Sequence, residues 1–140
     1  GEKASIELEI ENLLRCSLVP LINENDVVSD AELVQYQLGI GENDRLARMV
    51  AELVRADSVL FLTEADGVYE GNTLLQELNA QNVSRIVTWA TSQQGRGGMH
   101  KKIEEALACA QRGMRVAIAG LTEDSIVRFV HGEHVDTMVV

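Results

Sequence analysis

Ser58-Val-Leu-Phe-Leu-Thr63 is apolar from Val59 to Leu62, with Asp66-Gly67 three residues beyond it. Four consecutive apolar residues leave no polar face for water, which suits a strand covered on both sides in a parallel sheet. Asp-Gly then supplies the turn chemistry that lets the chain leave the strand. Upstream, Leu46, Met49, Val50, Leu53 and Val54 recur at helical spacing, and Asn43 or Asp44 is placed to cap the free N–H groups at the start of that helix. Downstream, Met99 to Arg112 carries Ile103, Ala106, Leu107 and Ala110 on one face and meets Gly113 as a stop. A buried strand at Val116–Ala119, a helix at Glu123–Val130 and a final strand at Thr137–Val140 follow. Strands alternating with helices predict α/β architecture with a mostly parallel sheet.

The remaining segments read less cleanly. Ile6, Ile10, Leu13 and Leu14 share one face of a helix running to about Cys16. Leu18 to Ile22 reads as a strand despite Pro20, which has no N–H for a ladder. Residues 23–42 are polar and contain glycine, with a hairpin expected around Leu33 to Ile40. A short helix is expected around Leu74 to Leu78, and a strand at Ser84 to Trp89. A loop rich in Gly and Gln leads to Gly98, and Trp89 is expected to serve packing rather than stacking.

With 140 residues and 15.4 kDa, the chain is expected to form one domain around one core. Hydrophobic residues at 46% and charged residues at 24% exclude a disordered or collagen-like class. Aromatics are only 4%, so Val, Leu, Ile and Ala must build the interior and few rings remain to stack on bases. Twelve Lys and Arg against 22 Asp and Glu give a formal charge of −10, which repels a phosphate backbone; no nucleic-acid partner is expected. No apolar run approaches the roughly 20 residues that span a bilayer, and Gly-Glu-Lys-Ala-Ser leads into no signal-peptide core, so no membrane partner is expected either. Cys16 and Cys109 lack a C-x-x-C partner and read as buried thiols in a reduced, cytoplasmic setting. A chain opening on Gly-Glu-Lys without Met is expected to be processed or part of a longer protein.

Three polar segments are expected beyond the carboxyl ends of the strands, where ligands of α/β sheets gather: Asn23-Glu-Asn-Asp26, Thr63-Glu64 and Gly95-Arg-Gly-Gly98. Gly97-Gly98-Met99 precedes a helix whose unpaired first-turn N–H groups and dipole favour an anion, with Lys101 and Lys102 adding full charge in the same turn. A plain loop with a surface lysine pair accounts for the same spacing, and a G-x-x-x-x-G-K-[ST] motif is absent. Asn23-Glu-Asn-Asp26 offers amides and carboxylates suited to an amino acid, or a capped turn. Gly41-Glu-Asn-Asp44 repeats those residue types at a helix start, where capping explains them fully. His131-Gly-Glu-His134 has two His three apart without a further ligand nearby, and reads as a solvated turn rather than a metal site.

Five blocks, V-P-L-I-N-E-N-D (19–26), G-E-N-D-R-L (41–46), A-D-S-V-L-F-L-T-E-A-D-G-V-Y (56–69), G-R-G-G-M-H-K-K (95–102) and H-V-D-T-M-V (134–139), occur in one order along the chain. Together they resemble the C-terminal, nucleotide-binding half of the amino acid kinase family, and within it the glutamate 5-kinases. That resemblance implies a three-layer α/β/α sandwich with a mostly parallel sheet. It also implies an ATP-dependent, Mg²⁺-assisted transfer to the γ-carboxylate of L-glutamate, the first step of proline biosynthesis. Carried over, Asp26 and Asn43 would bind the amino acid. Thr63, Glu64, Arg96, Gly97, Gly98, Met99, His100, Lys101 and Lys102 would bind ATP. Lys102 would neutralise the transferring phosphoryl group, with Asp44 orienting the lysines. The family usually has Asp at Glu42 and Glu64, Thr at Arg96 and Gly at Asp136. Its N-terminal half, with a second catalytic lysine, has no counterpart here. The isolated chain is therefore expected to be inactive, working as a homo-oligomer or with a partner carrying that half; a non-catalytic nucleotide-binding or regulatory module of the same fold is the alternative.

Overall fold

The computed structural model describes residues 2–23, 43–92 and 98–140, which fall into two compact units, 1–56 and 57–140. In the first unit, α1 spans Glu2–Arg15 and α2 spans Asn43–Leu53. In the second, the order is β1 (Ser58–Thr63), β2 (Tyr69–Glu70), β3 (Thr73–Leu74), β4 (Glu77–Leu78), α3 (Val83–Ser92), α4 (Met99–Gln111), β5 (Arg115–Gly120), α5 (Glu123–Val130) and β6 (Thr137–Val139).

The main sheet has the order β1-β5-β6-β4. β1 and β5 run parallel over six residue pairs, from Ser58↔Arg115 to Thr63↔Gly120. β4 is parallel to β6, and β6 is antiparallel to β5. Strand alternation sorts the side chains into two layers. Phe61, Val116, Ile118 and Val139 face Ile86 of α3 and Ile103, Ala106 and Cys109 of α4 in one cluster. Ala117 and Ala119 face Phe129 of α5 and Val135 in the other. Helices therefore cover both faces of a mostly parallel sheet, as the uninterrupted apolar runs predict. The α5 face of β5 carries the small Ala117 and Ala119, and the opposite face the bulkier Val116 and Ile118.

The helix stops share one device. Gly113, in the left-handed region at φ 85°, follows α4, and its N–H reaches Ala110 O while the Met114 N–H reaches Cys109 O. Gly132 after α5 repeats the pattern. α1 and α2 end the same way on residues with a side chain, Ser17 at φ 57° and Arg55 at φ 52°.

Four expectations fail. Residues 18–23 carry no regular secondary structure, and Val19 and Leu21 are almost fully exposed. Apolar content alone makes no strand where Pro20 withholds a donor and no strand among the described residues pairs with it. The helix expected at Leu74 to Leu78 is a pair of two-residue strands, β3 and β4, because a run of so few apolar residues suits either period and the pairing to β2 and β6 decides. Ser84 to Trp89 belongs to α3: Val83, Ile86 and Val87 sit at i, i+3 and i+4, and an Asn79 side chain accepting from the Gln81 and Asn82 N–H groups turns the chain into the helix. Cys109 is buried as expected, whereas Cys16 is exposed just past α1. The hairpin expected at Leu33 to Ile40 lies outside the described residues.

Candidate functional site

At the carboxyl ends of β1 and β5 the chain leaves the sheet in two adjacent turns. The β1 exit, Glu64–Gly67, passes directly over Gly120: a methyl group placed there would lie 3.4 Å from the Asp66 Cα. That is ordinary van der Waals contact, so the two turns are direct neighbours with room for a methyl group between them. The Leu121 N–H continues the parallel ladder to Thr63 O at 2.9 Å. Thr63 closes β1 half-buried, on the same face as Phe61 by alternation, and Glu64 is exposed just beyond.

α4 precedes β5 and runs back across it, which brings its N-terminus toward these same strand ends. Its cap residue Gly98 has φ −95° and ψ −25°, is exposed, and makes no side-chain capping hydrogen bond. Met99 and His100 are half-buried, Met99 packing against the core. Lys101 is exposed, whereas Lys102 is half-buried with its Nζ 5.9 Å from the centre of the Phe61 ring. The two lysines thus diverge, as one helical step of about 100° requires. At that distance the Lys102 ammonium is within range of the weak attraction between an ammonium and an aromatic face.

The N-terminus of α5 is finished differently. Thr122 Oγ1 accepts from the Ser125 N–H at 3.1 Å, and Glu123 and Asp124 occupy its first turn. Asp136, at the start of β6, sends Oδ2 to the Gly120 N–H at 2.9 Å and accepts from the Ser125 hydroxyl at 3.3 Å. The Tyr69 phenol donates to Asp66 Oδ2 at 3.3 Å. Withdrawal from water, then the charge and hydrogen bond of Asp66 and the charge of Asp136, raise its pKa above the ordinary 10.0. Asp66, Tyr69, Thr122, Ser125 and Asp136 were not legible as site neighbours in the sequence. Asp66 reads there as a turn residue and Asp136 as a departure from the family, and the T-x-x-S spacing at Thr122–Ser125 is a helix-cap signal that could have pointed to those two.

In the first unit, Asn43 is the exposed first residue of α2, and Asp44 is half-buried in its first turn, where its carboxylate complements the helix dipole. Both therefore lie inside the helix rather than before it. Asp26, Arg96, Gly97 and Glu42 lie outside the described residues. His131 and His134 occupy the turn after α5, with His134 Nε2 3.0 Å from Gln76 O. Among the described residues no three His, Cys, Asp or Glu side chains converge as a metal-holding group, and no helix is long and apolar enough to cross a membrane.

Comparison with known proteins supports this fold. The model of the amino acid kinase family matches residues 3–120. A glutamate 5-kinase of Streptococcus uberis is 32% identical over 147 residues, covering 98% of this chain and 54% of that protein. One of Nitrosomonas eutropha is 34% identical over 141 residues, covering 94% of this chain and 36% of its own. A delta-1-pyrroline-5-carboxylate synthase of Solanum lycopersicum is 31% identical over 140 residues, 92% of this chain and 19% of that one. The chain thus spans about half the length, or less, of these relatives. Among solved structures, N-acetylglutamate synthase of Neisseria gonorrhoeae aligns with a TM-score of 0.56 at 22% identity, covering 69% of this chain and 23% of that one. Uridylate kinase of Archaeoglobus fulgidus aligns at 0.51 and 24%, covering 69% and 46%. The helix-covered, mostly parallel sheet and a family match running from α1 through β5 together place this chain in the amino acid kinase family.

Proposed function

We propose that this chain is the nucleotide-binding half of a kinase that transfers the γ-phosphoryl group of ATP to the γ-carboxylate of L-glutamate in proline biosynthesis, in the cytoplasm. The observation that carries the reading is the 32% identity to a glutamate 5-kinase across nearly the whole chain. Consistent with it, the helix start at Gly98, with Lys102 in its first turn, lies toward the carboxyl ends of the parallel strands β1 and β5. In phosphoryl transfer the protein's work is positioning and charge compensation. In this reading the α4 N–H groups and Lys102 hold the phosphates and neutralise the one being transferred. Thr63, Glu64 and the 96–101 segment line the nucleotide. Asp26 and Asn43 hold the amino acid, and Asp44 orients the lysines. Mg²⁺ bound with the nucleotide would supply further charge compensation at the phosphates.

The chain spans 54% of the Streptococcus relative and 36% of the Nitrosomonas one, which supports its acting with a second half, on a partner or elsewhere in a longer protein, or as a homo-oligomer. Calorimetric titration with Mg·ATP and ADP is expected to give binding in the micromolar range, and a coupled ADP-release assay with glutamate no turnover by these residues alone. Absence of nucleotide binding would overturn the reading, and turnover by the isolated chain would overturn its incompleteness. The Glu64 and Arg96 departures favour a second reading, a non-catalytic module that binds nucleotide; it predicts binding but no activity on adding the missing half.

A further inference from the structure

Asp136 is the described residue that most strains the backbone near the site: it has a side chain yet sits at φ 30°, in the left-handed region that costs a non-glycine residue free energy. What holds it there is local. The antiparallel β5–β6 ladder ends at Ile118↔Thr137, and two residues further along β5 the Gly120 N–H bonds the Asp136 carboxylate instead of a strand carbonyl. The same Oδ2 accepts from Ser125 in the first turn of α5. A methyl group at Gly67 would lie 2.9 Å from Leu74 Cδ1 and Thr137 Oγ1 and 3.3 Å from Asp136 Cβ, so the β1 exit is closely packed against Asp136 there, and at Gly120 it lies in ordinary contact, with Asp66 Cα 3.4 Å from such a methyl group.

We propose that Asp136 is a positioning residue, a side-chain substitute for a ladder rung that sets the Gly120–Thr122 turn and, through Gly120, the Glu64–Gly67 exit at the nucleotide edge. This rests on the nucleotide reading above. The side chain acts through backbone groups and touches no reacting atom. Asn can take the same left-handed backbone and offer a carbonyl oxygen to both donors, whereas Ala keeps the strain and loses both hydrogen bonds.

The test uses the whole chain, with ADP as the calorimetric probe and amide hydrogen exchange read at Gly120 and Leu121. Asp136→Ala is expected to weaken ADP binding by about tenfold, the scale of one lost hydrogen bond to a charged acceptor. It should also speed exchange at Gly120 while leaving Val116–Ile118 protected. Asp136→Asn is expected to restore both readouts to within about threefold. A purely structural role would lower the melting temperature of Asp136→Ala without changing ADP affinity in the folded protein, and that result overturns the proposal. So does equal loss in the Asn variant. If Asp136→Ala does not fold, Asp136→Gly, which removes the strain with the side chain, reads the same two quantities. Absence of ADP binding by the unaltered chain overturns the nucleotide reading, and the proposal with it. Binding that these substitutions leave untouched overturns the proposal alone.

Discussion

At Thr137 a single fully buried hydroxyl joins segments more than sixty positions apart. It donates to Leu75 O at 2.6 Å and accepts from the Val68 N–H at 3.0 Å, pinning both ends of the β2–β3 excursion to β6. Thr137→Val keeps the shape and strands both backbone groups, so urea denaturation is expected to show a loss of about 1–3 kcal/mol. Lys102 acts through charge on a half-buried stem. Lys102→Met is expected to weaken Mg·ATP binding by roughly 10–100-fold, the scale of a charge-assisted contact, and to cost stability about 0.5–1 kcal/mol with the Phe61 ring contact. Lys101→Met, on the exposed neighbouring position, should lower Mg·ATP affinity far less and leave stability unchanged; titrations of the two variants side by side check this. Tyr69 gives a pH signature. The unfolded chain releases the phenol proton near its ordinary pKa of 10.0, while the folded chain holds it to higher pH. The stability linked to the protonated phenol is therefore complete below the ordinary value and is lost as pH rises through the folded one. Thermal melts through this alkaline range should fall more steeply for the unaltered chain than for Tyr69→Phe.

Among the elements, helix termini separate good local design from poor. α4 and α5 stop on glycines in the left-handed region, whereas α2 stops on Arg55 in the same conformation. A side chain in that region costs roughly 1 kcal/mol, so Arg55→Gly is expected to raise stability by about 0.5–1 kcal/mol in denaturant unfolding. Position-for-position substitution of Gly113 by Ala should do the reverse. The elements misread in the sequence are those with the least internal signal. β3 and β4 have two residues each and exist because β2 and β6 offer them ladders. α3 carries a helical apolar period, but its β-branched residues, Val83, Ile86, Val87 and Thr88, favour a strand by propensity. Burial of Ile86 against α4 and the Asn79 turn outweigh that preference.

Across the molecule, stability concentrates in the 57–140 unit. Val116, Ala117, Ile118 and Ala119 are at most 1% exposed, and the first three lie between partner strands on both sides. The buried residues described in the 1–56 unit are Ile10, Leu46 and Ala51. Amide exchange is therefore expected to be slowest in β5 and much faster in α1, since exchange of a fully buried central strand requires global opening. Equal protection of both would show that the first unit is held by more than its own packing.

Sequence by itself determined what depends on neighbours along the chain: α1, α2 and α4 from their apolar period, β1 and β5 from runs too apolar to face water, and the stop at Gly113. The family resemblance was legible for the same reason, since Thr63, Glu64 and Gly98–Lys102 are contiguous with elements that read clearly. Tertiary structure alone decided what depends on partners distant in sequence. β6 lies antiparallel beside β5 while β4 runs parallel to β6, short segments become strands where a ladder edge receives them, and the Lys102 ammonium comes within range of the Phe61 ring. Asp136 takes a backbone conformation its residue type does not favour, because a carboxylate there satisfies the Gly120 N–H left beyond the end of a ladder. Period and propensity are written in the order of residues. The hydrogen-bond partner of a donor at a strand end is settled only when the sheet has assembled around it.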